Sequence, residues 1–384
     1  MSDRPIPAAP HEVTPEWLTA VLRAAGVLSR GCVARVRAEI IGADWGFTGV
    51  LARLRPRYEG TDADAPAPPS LIAKLPLAPR DIPSTFSAPS EPDPAARCQR
   101  LARGAREAEF YRHIAPLNLV PVPKLYYAAA ATGRVVLLLE DVREARAGDV
   151  LRGCTPEAAA GVLRAVAPLH ARWWERADID RFPWAPAWAG DIQARQDGYN
   201  RRLGPFLARY GAQLPAPVHA LLDRLRTRYG AVLAALAAAP ATLIHADLHL
   251  DNVLFRPPDG NPPVVVLDWQ SISRGPAAVD VAAFVFGSLP PTRRRSSVDG
   301  LLRDYHARLA GLGVAGYTLP QLREHCRWAL LWQLAGTVGW LGSVASAGDE
   351  PAGREGELVR ASLADGRLIS ALIEEDAAGL VADD

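Results

Sequence analysis

Residues 245–268, HADLHLDNVLFRPPDGNPPVVVLD, decide how the rest of this chain is read. Asp247 and Asn252 stand five residues apart in a run that opens with His245. Val253, Leu254 and Phe255 have the apolar character of a strand, and Pro257, Pro258, Asp259, Gly260 and Asn261 that of a turn. A second apolar run, Val264 to Leu267, ends on Asp268. Two strands joined by such a turn fold back on each other, so the hairpin returns Asp268 to the neighbourhood of Asn252.

The pattern H-x-D-x-x-x-x-N is the spacing of the protein-kinase catalytic loop, in which the Asp is the base and the Asn holds magnesium. Phosphoryl transfer needs that set: a base by the acceptor hydroxyl, and oxygen ligands for the hard cation that bridges the nucleotide phosphates. A lone H-x-D is usually structural. The Asn and the returned carboxylate are what make it catalytic. A rival sits in the same letters. His245, Asp247, His249 and Asp251 alternate, and on a strand they would share one face, as the ligands of a zinc-dependent hydrolase. Against it, the chain has eight His and no second His/Cys/Asp cluster to complete a coordination shell.

A length of 384 residues fits one large or two medium domains. With 49% hydrophobic residues and a net charge of +1, a sizeable core is available, and nothing draws the chain to nucleic acid or to a membrane surface. Cys32, Cys98, Cys154 and Cys326 are far apart and form no metal or redox spacing, as expected of a reduced cytoplasmic protein. The first residues, MSDRPIPAAPHEVTPEW, lack the apolar run of a secretory signal. The longest uncharged span, Trp328 to Gly348, contains Gln333, Thr337, Ser343 and Ser346. It reads as a buried helix breaking into a loop, not as a membrane span. The acidic end, Glu374 to Asp384, reads as a fraying terminus.

Thr14 caps an amphipathic helix that has Pro15 in its first turn and ends near Gly26. Residues 33–41 and 50–54 then read as strands flanking a turn that holds Gly42, Gly46 and Gly49. Glycines there let backbone amides approach a phosphate, although a plain hairpin turn explains them nearly as well. After a proline-rich connector, Leu71-Ile-Ala-Lys74-Leu is a strand with one lysine among apolar neighbours. Residues 95–114 are helical, and by spacing either Glu107 or Glu109 can pair with Lys74. Residues 122–131 and 134–139 make two more strands, the second leading into Glu140-Asp141-Val142.

Helices follow over 155–174, capped by Thr155, and over 216–238. Trp173, Trp174, Trp184 and Trp188 cluster between them and read as packing rather than as a cleft wall. Beyond Asp268, residues 269–275 read as loop. Asp280 then sits in an otherwise apolar segment, 276–286. A buried carboxylate needs hydrogen bonds, and the backbone of the catalytic loop is its simplest partner.

These residues carry a resemblance. REAEFY (106–111), LLLEDV (137–142), LHARWW (169–174), HADLHLDN (245–252) and VLDWQSISRGPAAVDVAAF (266–284) occur in the order of the aminoglycoside phosphotransferase and choline kinase superfamily. The likeness spans residues 35–330 and is greatest to the ecdysteroid-kinase-like branch. It implies an α+β, protein-kinase-like bilobal fold. Residues 1–141 form the smaller nucleotide-binding lobe, residues 142–384 the larger helical, catalytic lobe, and ATP or GTP lies in the cleft. It implies that Lys74 binds the phosphates, with Gly46 in the phosphate turn, and that Glu107 pairs with Lys74. The backbone of Glu140 to Val142 meets the nucleobase. Asp247 is the base, Asn252 and Asp268 hold Mg2+, His245 braces the loop and Asp280 ties it down.

Two departures stand out: the glycine turn lacks the usual middle glycine, and Ala246 replaces the family's glycine. The implied acceptor is a hydroxyl on a small molecule, such as a sugar-bearing antibiotic, a nucleoside or a sterol-like metabolite. The tryptophans tilt that choice toward an apolar or nucleoside-like one. A catalytically silent nucleotide-binding module would be marked by loss of the lysine, the base or a metal ligand, and all of these are present.

Overall fold

The computed structural model describes residues 5–41, 50–61, 67–75, 94–131, 133–257, 259–348, 353–363 and 367–381. The chain divides into two compact units. The first comprises Met1–Asn118, Val122–Ala145 and Leu267–Ser271; the second comprises Leu119–Pro121, Arg146–Val266 and Ile272–Asp384.

The first unit opens with α1 (Pro15–Ala24), whose N-cap Thr14 accepts a hydrogen bond from the Trp17 N–H at 3.2 Å. Its apolar face, Trp17, Leu18, Val21 and Leu22, is buried. Strands β1 (Cys32–Ile41), β2 (Val50–Glu59) and β3 (Leu71–Leu75) come next, then α2 (Pro94–His113), β4 (Leu125–Ala131) and β5 (Arg134–Glu140). They form a five-stranded antiparallel sheet in the order β1-β2-β3-β5-β4. Alternation along β3 buries Leu71, Ala73 and Leu75 in one core with α1, while Ile72 and Lys74 point to the opposite face. Lys74 pairs with Leu51 on one side and Leu137 on the other, so it sits on an interior strand whose backbone is held from both flanks.

The second unit is mainly helical. It contains β6 (Arg146–Ala147), α3 (Pro156–Trp173), α4 (Ile192–Tyr210) and α5 (Ala216–Ala237). Next come β7 (Ala241–Ile244), β8 (Val253–Phe255), β9 (Val264–Val266) and β10 (Ser273–Pro276). Helices α6 (Ala278–Ser288), α7 (Pro291–Gly311), α8 (Leu319–Ala347), α9 (Gly353–Leu363) and α10 (Arg367–Glu374) complete it. Thr155 caps α3, and Thr318 with Gln321 makes a capping box on α8. The expected hairpin is formed: Val253 pairs with Val266 and Phe255 with Val264.

Three expectations are corrected. Residues 273–275, read as loop, belong to a strand that runs to Pro276, because β7 supplies a partner: Ser273 faces Ile244 and Pro276 faces Ala241. Local letters do not carry that signal. The span 328–347 does not break into a loop. It completes α8, which ends at Gly348 with φ of +87°. Leu330, Leu331, Leu334, Val338 and Leu341 are buried along it, and the Ser343 and Ser346 hydroxyls donate to the carbonyls of Gly339 and Gly342 four residues back. The terminus does not simply fray, since residues 377–381 form a short helical turn with Ala377 and Val381 buried. No helix among the described residues is long and apolar enough to cross a membrane.

Candidate active site

In the first unit, the Lys74 ammonium lies 2.6 Å from Glu107 Oε2 and also bonds Asp268 Oδ1. Glu107 is the partner from α2. Glu109 instead pairs with Arg112 at 2.6 Å and His113 at 3.1 Å. Burial pulls the lysine's pKa down, but the two carboxylates outweigh it and the net direction is up. Burial pushes the Glu107 carboxyl upward, against the pull of Lys74. Two carboxylates around one ammonium leave an excess of negative charge in a largely closed pocket.

The segment that carries Asp268 is clamped to α2 by residues whose role the sequence did not announce. Trp269 stacks on Phe110 with ring centroids 4.0 Å apart and planes 6° from parallel. Arg106 Nη1 donates to the Gln270 carbonyl at 3.2 Å. Asp268 adopts φ of +60°, and its Oδ2 accepts from Gln270 Nε2 at 3.0 Å. The run REAEFY thus serves one object through three residues: Arg106 holds the backbone of Gln270, Phe110 the Trp269 ring, and Glu107 the lysine. At the other end of β5, Asp141 accepts from Arg53 Nε at 2.8 Å and from Ser70 Oγ at 2.6 Å. The Glu140 N–H donates to Lys124 O at 2.9 Å. Gly46 and the rest of the turn 42–49 lie outside the described residues.

In the second unit, the chain leaves β7 through a loop that Asp280 organises from the first turn of α6. Its Oδ2 accepts the His245 N–H at 2.6 Å and its Oδ1 the Ala246 N–H at 2.8 Å. His170, fully buried on α3, lies 3.2 Å from Asp280 Oδ2 and 2.7 Å from the Tyr305 hydroxyl. A ring N–H donated to the carboxylate leaves Nδ1 to accept from Tyr305, which fixes the tautomer. His170 lies within LHARWW, the one sequence mark that could have revealed this bridge. Ala246 has φ of +63°, the left-handed region that the expected glycine would enter freely. The Asp247 N–H donates to His245 Nδ1 at 3.2 Å, so the buried His245 braces the backbone of Asp247.

Asp247 is half-exposed, with 45% of its side chain accessible, whereas Asn252 is buried. Asn252 Nδ2 donates to Asp247 O at 2.9 Å, and with the nitrogen so placed the amide oxygen is the atom that can meet a cation. The same nitrogen lies 3.0 Å from His249 Nε2. The His245/Asp247/His249/Asp251 alternation is not on a strand. The backbone turns at Ala246 and closes into a short helical turn at Leu250–Asn252. Among the described residues, no group of three His, Cys, Asp or Glu is placed to hold a metal.

Trp173 and Trp188 are buried. Trp173 packs edge-on against Phe182 at 5.1 Å, and Trp188 against Trp332 at 5.2 Å. Trp174 and Trp184 are half-buried, against Tyr317 and Phe182, so the cluster packs as read, while Trp188 also lines a cavity. A cavity of about 490 Å3, lined among others by Glu175, Asp180, Trp188 and Arg274, lies at the Ala241–Pro276 end of the β7–β10 ribbon. That end is opposite the one from which His245 leaves, so the cavity does not adjoin Asp247.

Two solved small-molecule kinases share this architecture. Choline kinase from Cryptosporidium parvum Iowa II is 13% identical, with 90% of this chain and 92% of that one covered at a TM-score of 0.51. A variant of aminoglycoside 2'-phosphotransferase-IIIa in complex with GDP is also 13% identical, with 95% and 98% covered at 0.51. Macrolide 2'-phosphotransferase from Brachybacterium faecium is 20% identical, with 90% and 97% covered at 0.47. The fold is the α+β, bilobal kinase-like fold. Residues 70–325 match the phosphotransferase enzyme family, and the chain belongs to it. It is an enzyme of the small-molecule kinase class. The match does not distinguish the ecdysteroid-kinase-like branch from others. No curated protein matches the sequence.

Proposed function

We propose that this enzyme transfers the γ-phosphoryl group of ATP or GTP to a hydroxyl of a small molecule. The observation that carries the reading is the buried Lys74–Glu107 pair at 2.6 Å, because a lysine pinned on an interior strand serves as a fixed cation for phosphate oxygens. Residues 1–141 are the nucleotide-binding lobe and residues 142–384 the catalytic lobe. With the Glu140 N–H spent on Lys124, the rest of the Glu140 to Val142 backbone is left to meet the nucleobase.

Asn252, through its amide oxygen, and Asp268 would hold Mg2+. Both offer the hard oxygen donors this ion takes, and the excess negative charge around Lys74 favours a cation beside Asp268. When bound, magnesium would neutralise the charge that develops on the phosphate oxygens. Asp247 is exposed enough to meet an acceptor. It orients the hydroxyl and takes its proton as the new O–P bond forms. His245 and Asp280 act on the backbone that carries Asp247, and thereby on its position.

The acceptor is a small molecule with a free hydroxyl. The family, and the choline kinase and aminoglycoside phosphotransferase of the same fold, support that class. Thermal unfolding with ATP or GTP, each with and without Mg2+, tests the reading. A ligand that binds only the folded state raises the midpoint by mass action. A magnesium-dependent rise with one nucleotide is the expected result. Indifference to both nucleotides would overturn it.

A further inference from the structure

The catalytic loop is fastened from behind by arginines that lie beyond residue 325, where the family match ends. Asp251 directly precedes Asn252 in the short turn Leu250–Asn252. Its side chain is only 13% exposed, and both oxygens are engaged. Oδ1 accepts the Val150 N–H at 2.8 Å and Oδ2 accepts from Arg354 Nη2 at 2.7 Å. The same Arg354 nitrogen reaches Asp149 Oδ1 at 3.2 Å.

Val150 belongs to a strap, residues 146–151, that runs along the loop. Its start pairs with β8, and the Gly148 N–H donates to Val253 O at 2.8 Å. A Cβ on Gly148 would stand 2.2 Å from Leu250 O, so the two backbones meet with no room for a side chain. The strap is gripped in turn by Arg367, the first residue of α10, which donates to Val150 O and, at 2.9 Å, to Leu151 O.

We propose that Arg354 is a positioning residue for phosphoryl transfer: it holds Asp251, and through it Asn252, while Arg367 anchors the strap on which that hold depends. The proposal rests on the reading of Asn252 as a magnesium ligand. Arg354 touches neither substrate nor ion. Its effect comes from charge. Asp149 and Asp251 share one guanidinium, and without it two largely buried like charges repel with no common partner. Asp251 then gives up the Val150 amide, and the turn carrying Asn252 loosens. A lysine would restore the charge without the planar fork, and so only part of the hold.

The test combines amide hydrogen exchange of the nucleotide-free chain with magnesium titration of the ADP- and GDP-loaded protein, read by thermal unfolding. Arg354→Ala is expected to speed exchange at the Val150 and Asn252 amides while leaving β7 and α3 protected. It should raise the half-saturating magnesium concentration by about tenfold, the scale of losing a residue that orients a metal ligand. Arg354→Lys should recover part of both effects. Should Arg354→Ala not fold, Asp251→Asn keeps an acceptor for Val150 but removes the ion pair, and the same shifts are expected at smaller size. Wild-type exchange at the two amides, or an unmoved magnesium midpoint, would overturn the proposal. A wild-type chain blind to magnesium nucleotide would instead overturn the functional reading, and the exchange measurement alone would then decide whether the hold exists.

Discussion

Lys74 and Glu107 are 2.6 Å apart, one on the interior strand β3 and the other on α2, and Asp268 closes on the same ammonium. Removing the lysine leaves two buried carboxylates facing each other. Lys74→Ala should therefore cost roughly 3–5 kcal/mol of stability, the scale of breaking a buried ion pair from one side, and abolish nucleotide-dependent stabilisation. Glu107→Gln keeps the shape but frees the ammonium to follow Asp268. It should weaken nucleotide binding with a smaller loss of fold stability. Denaturant unfolding with and without nucleotide separates the two effects, and a stable Lys74→Ala protein that still binds nucleotide would refute the pairing's role.

In the proposed reaction Asp247 and Asp268 have different tasks, so their variants should fail differently. Asp247→Ala is expected to lower turnover by roughly 10² or more, the scale of losing a general base, with the nucleotide still bound. Asp268→Ala should abolish magnesium-dependent transfer and magnesium-dependent nucleotide stabilisation together. Turnover near wild type in either variant, measured with an acceptor found by screening hydroxylated small molecules, counts against the assignment.

Asp280 satisfies the backbone N–H groups of buried His245 and half-buried Ala246, and faces the buried His170. Asp280→Ala orphans both amides and the imidazole. The expected destabilisation is about 2–4 kcal/mol, summed from the cost of buried unpaired donors, with loss of activity. Asp280→Asn retains one acceptor oxygen and should fall between. Equal unfolding midpoints for Asp280→Ala and wild type would show that the loop is held by something else.

The proposed chemistry was largely legible in the sequence because the groups assigned to it are close in the chain or sit in runs with sharp spacing. Asp247, Asn252 and the hairpin to Asp268 were legible from residues 245–268 alone, since a turn between two apolar runs has only one sensible outcome. Asp280 was legible as a carboxylate in an apolar helix that had to find donors. Pairing across long separations was not. Strand β10 exists because β7 accepts it, and Ser273-Arg-Gly-Pro has no alternation to announce that. The spacing of α2 left Glu107 and Glu109 equivalent, and only burial against Lys74 separated them. Arg354 and Asp251 lie 103 residues apart, and no local pattern joins an arginine of one helix to a loop carboxylate that far away.

The C-terminal helices give a pH test. Arg294 is buried at 1% exposure, and its Nη2 lies 2.7 Å from Glu374 Oε2; Arg295 meets the other oxygen, also at 2.7 Å. Burial alone would push the Glu374 carboxyl up, but the two guanidinium groups outweigh it and hold it below the usual carboxylate range. A carboxylate lowered on folding adds stability that is fully present above its unfolded pKa, about 4.3, and is lost as pH falls through the folded value. Glu374→Gln should therefore cost roughly 1–2 kcal/mol at pH 7, the worth of a hydrogen bond to a charged group at a partly exposed position. The gap to wild type should shrink steadily below about pH 4. A gap that stays constant down to pH 3 would mean that the ion pair contributes nothing.

Ala246 stands where a glycine is expected, and its φ of +63° makes the substitution costly. A left-handed conformation costs an ordinary L-residue roughly 1–2 kcal/mol, because its Cβ crowds the following carbonyl. Glycine would remove that strain but would make the unfolded chain more mobile, which offsets about 0.4–1 kcal/mol. The balance favours Ala246→Gly by up to about 1.6 kcal/mol, a rise of at most about 2 °C in the unfolding midpoint of a chain this long. The backbone N–H that Asp280 holds is untouched by the change, so the loop keeps its anchor. Ala246→Val moves the other way: a β-branched side chain at positive φ is strained further, and the midpoint should fall by several degrees. If glycine lowers the midpoint while valine does not, the loop's backbone at this position is not left-handed, and its registration on Asp280 must be achieved some other way.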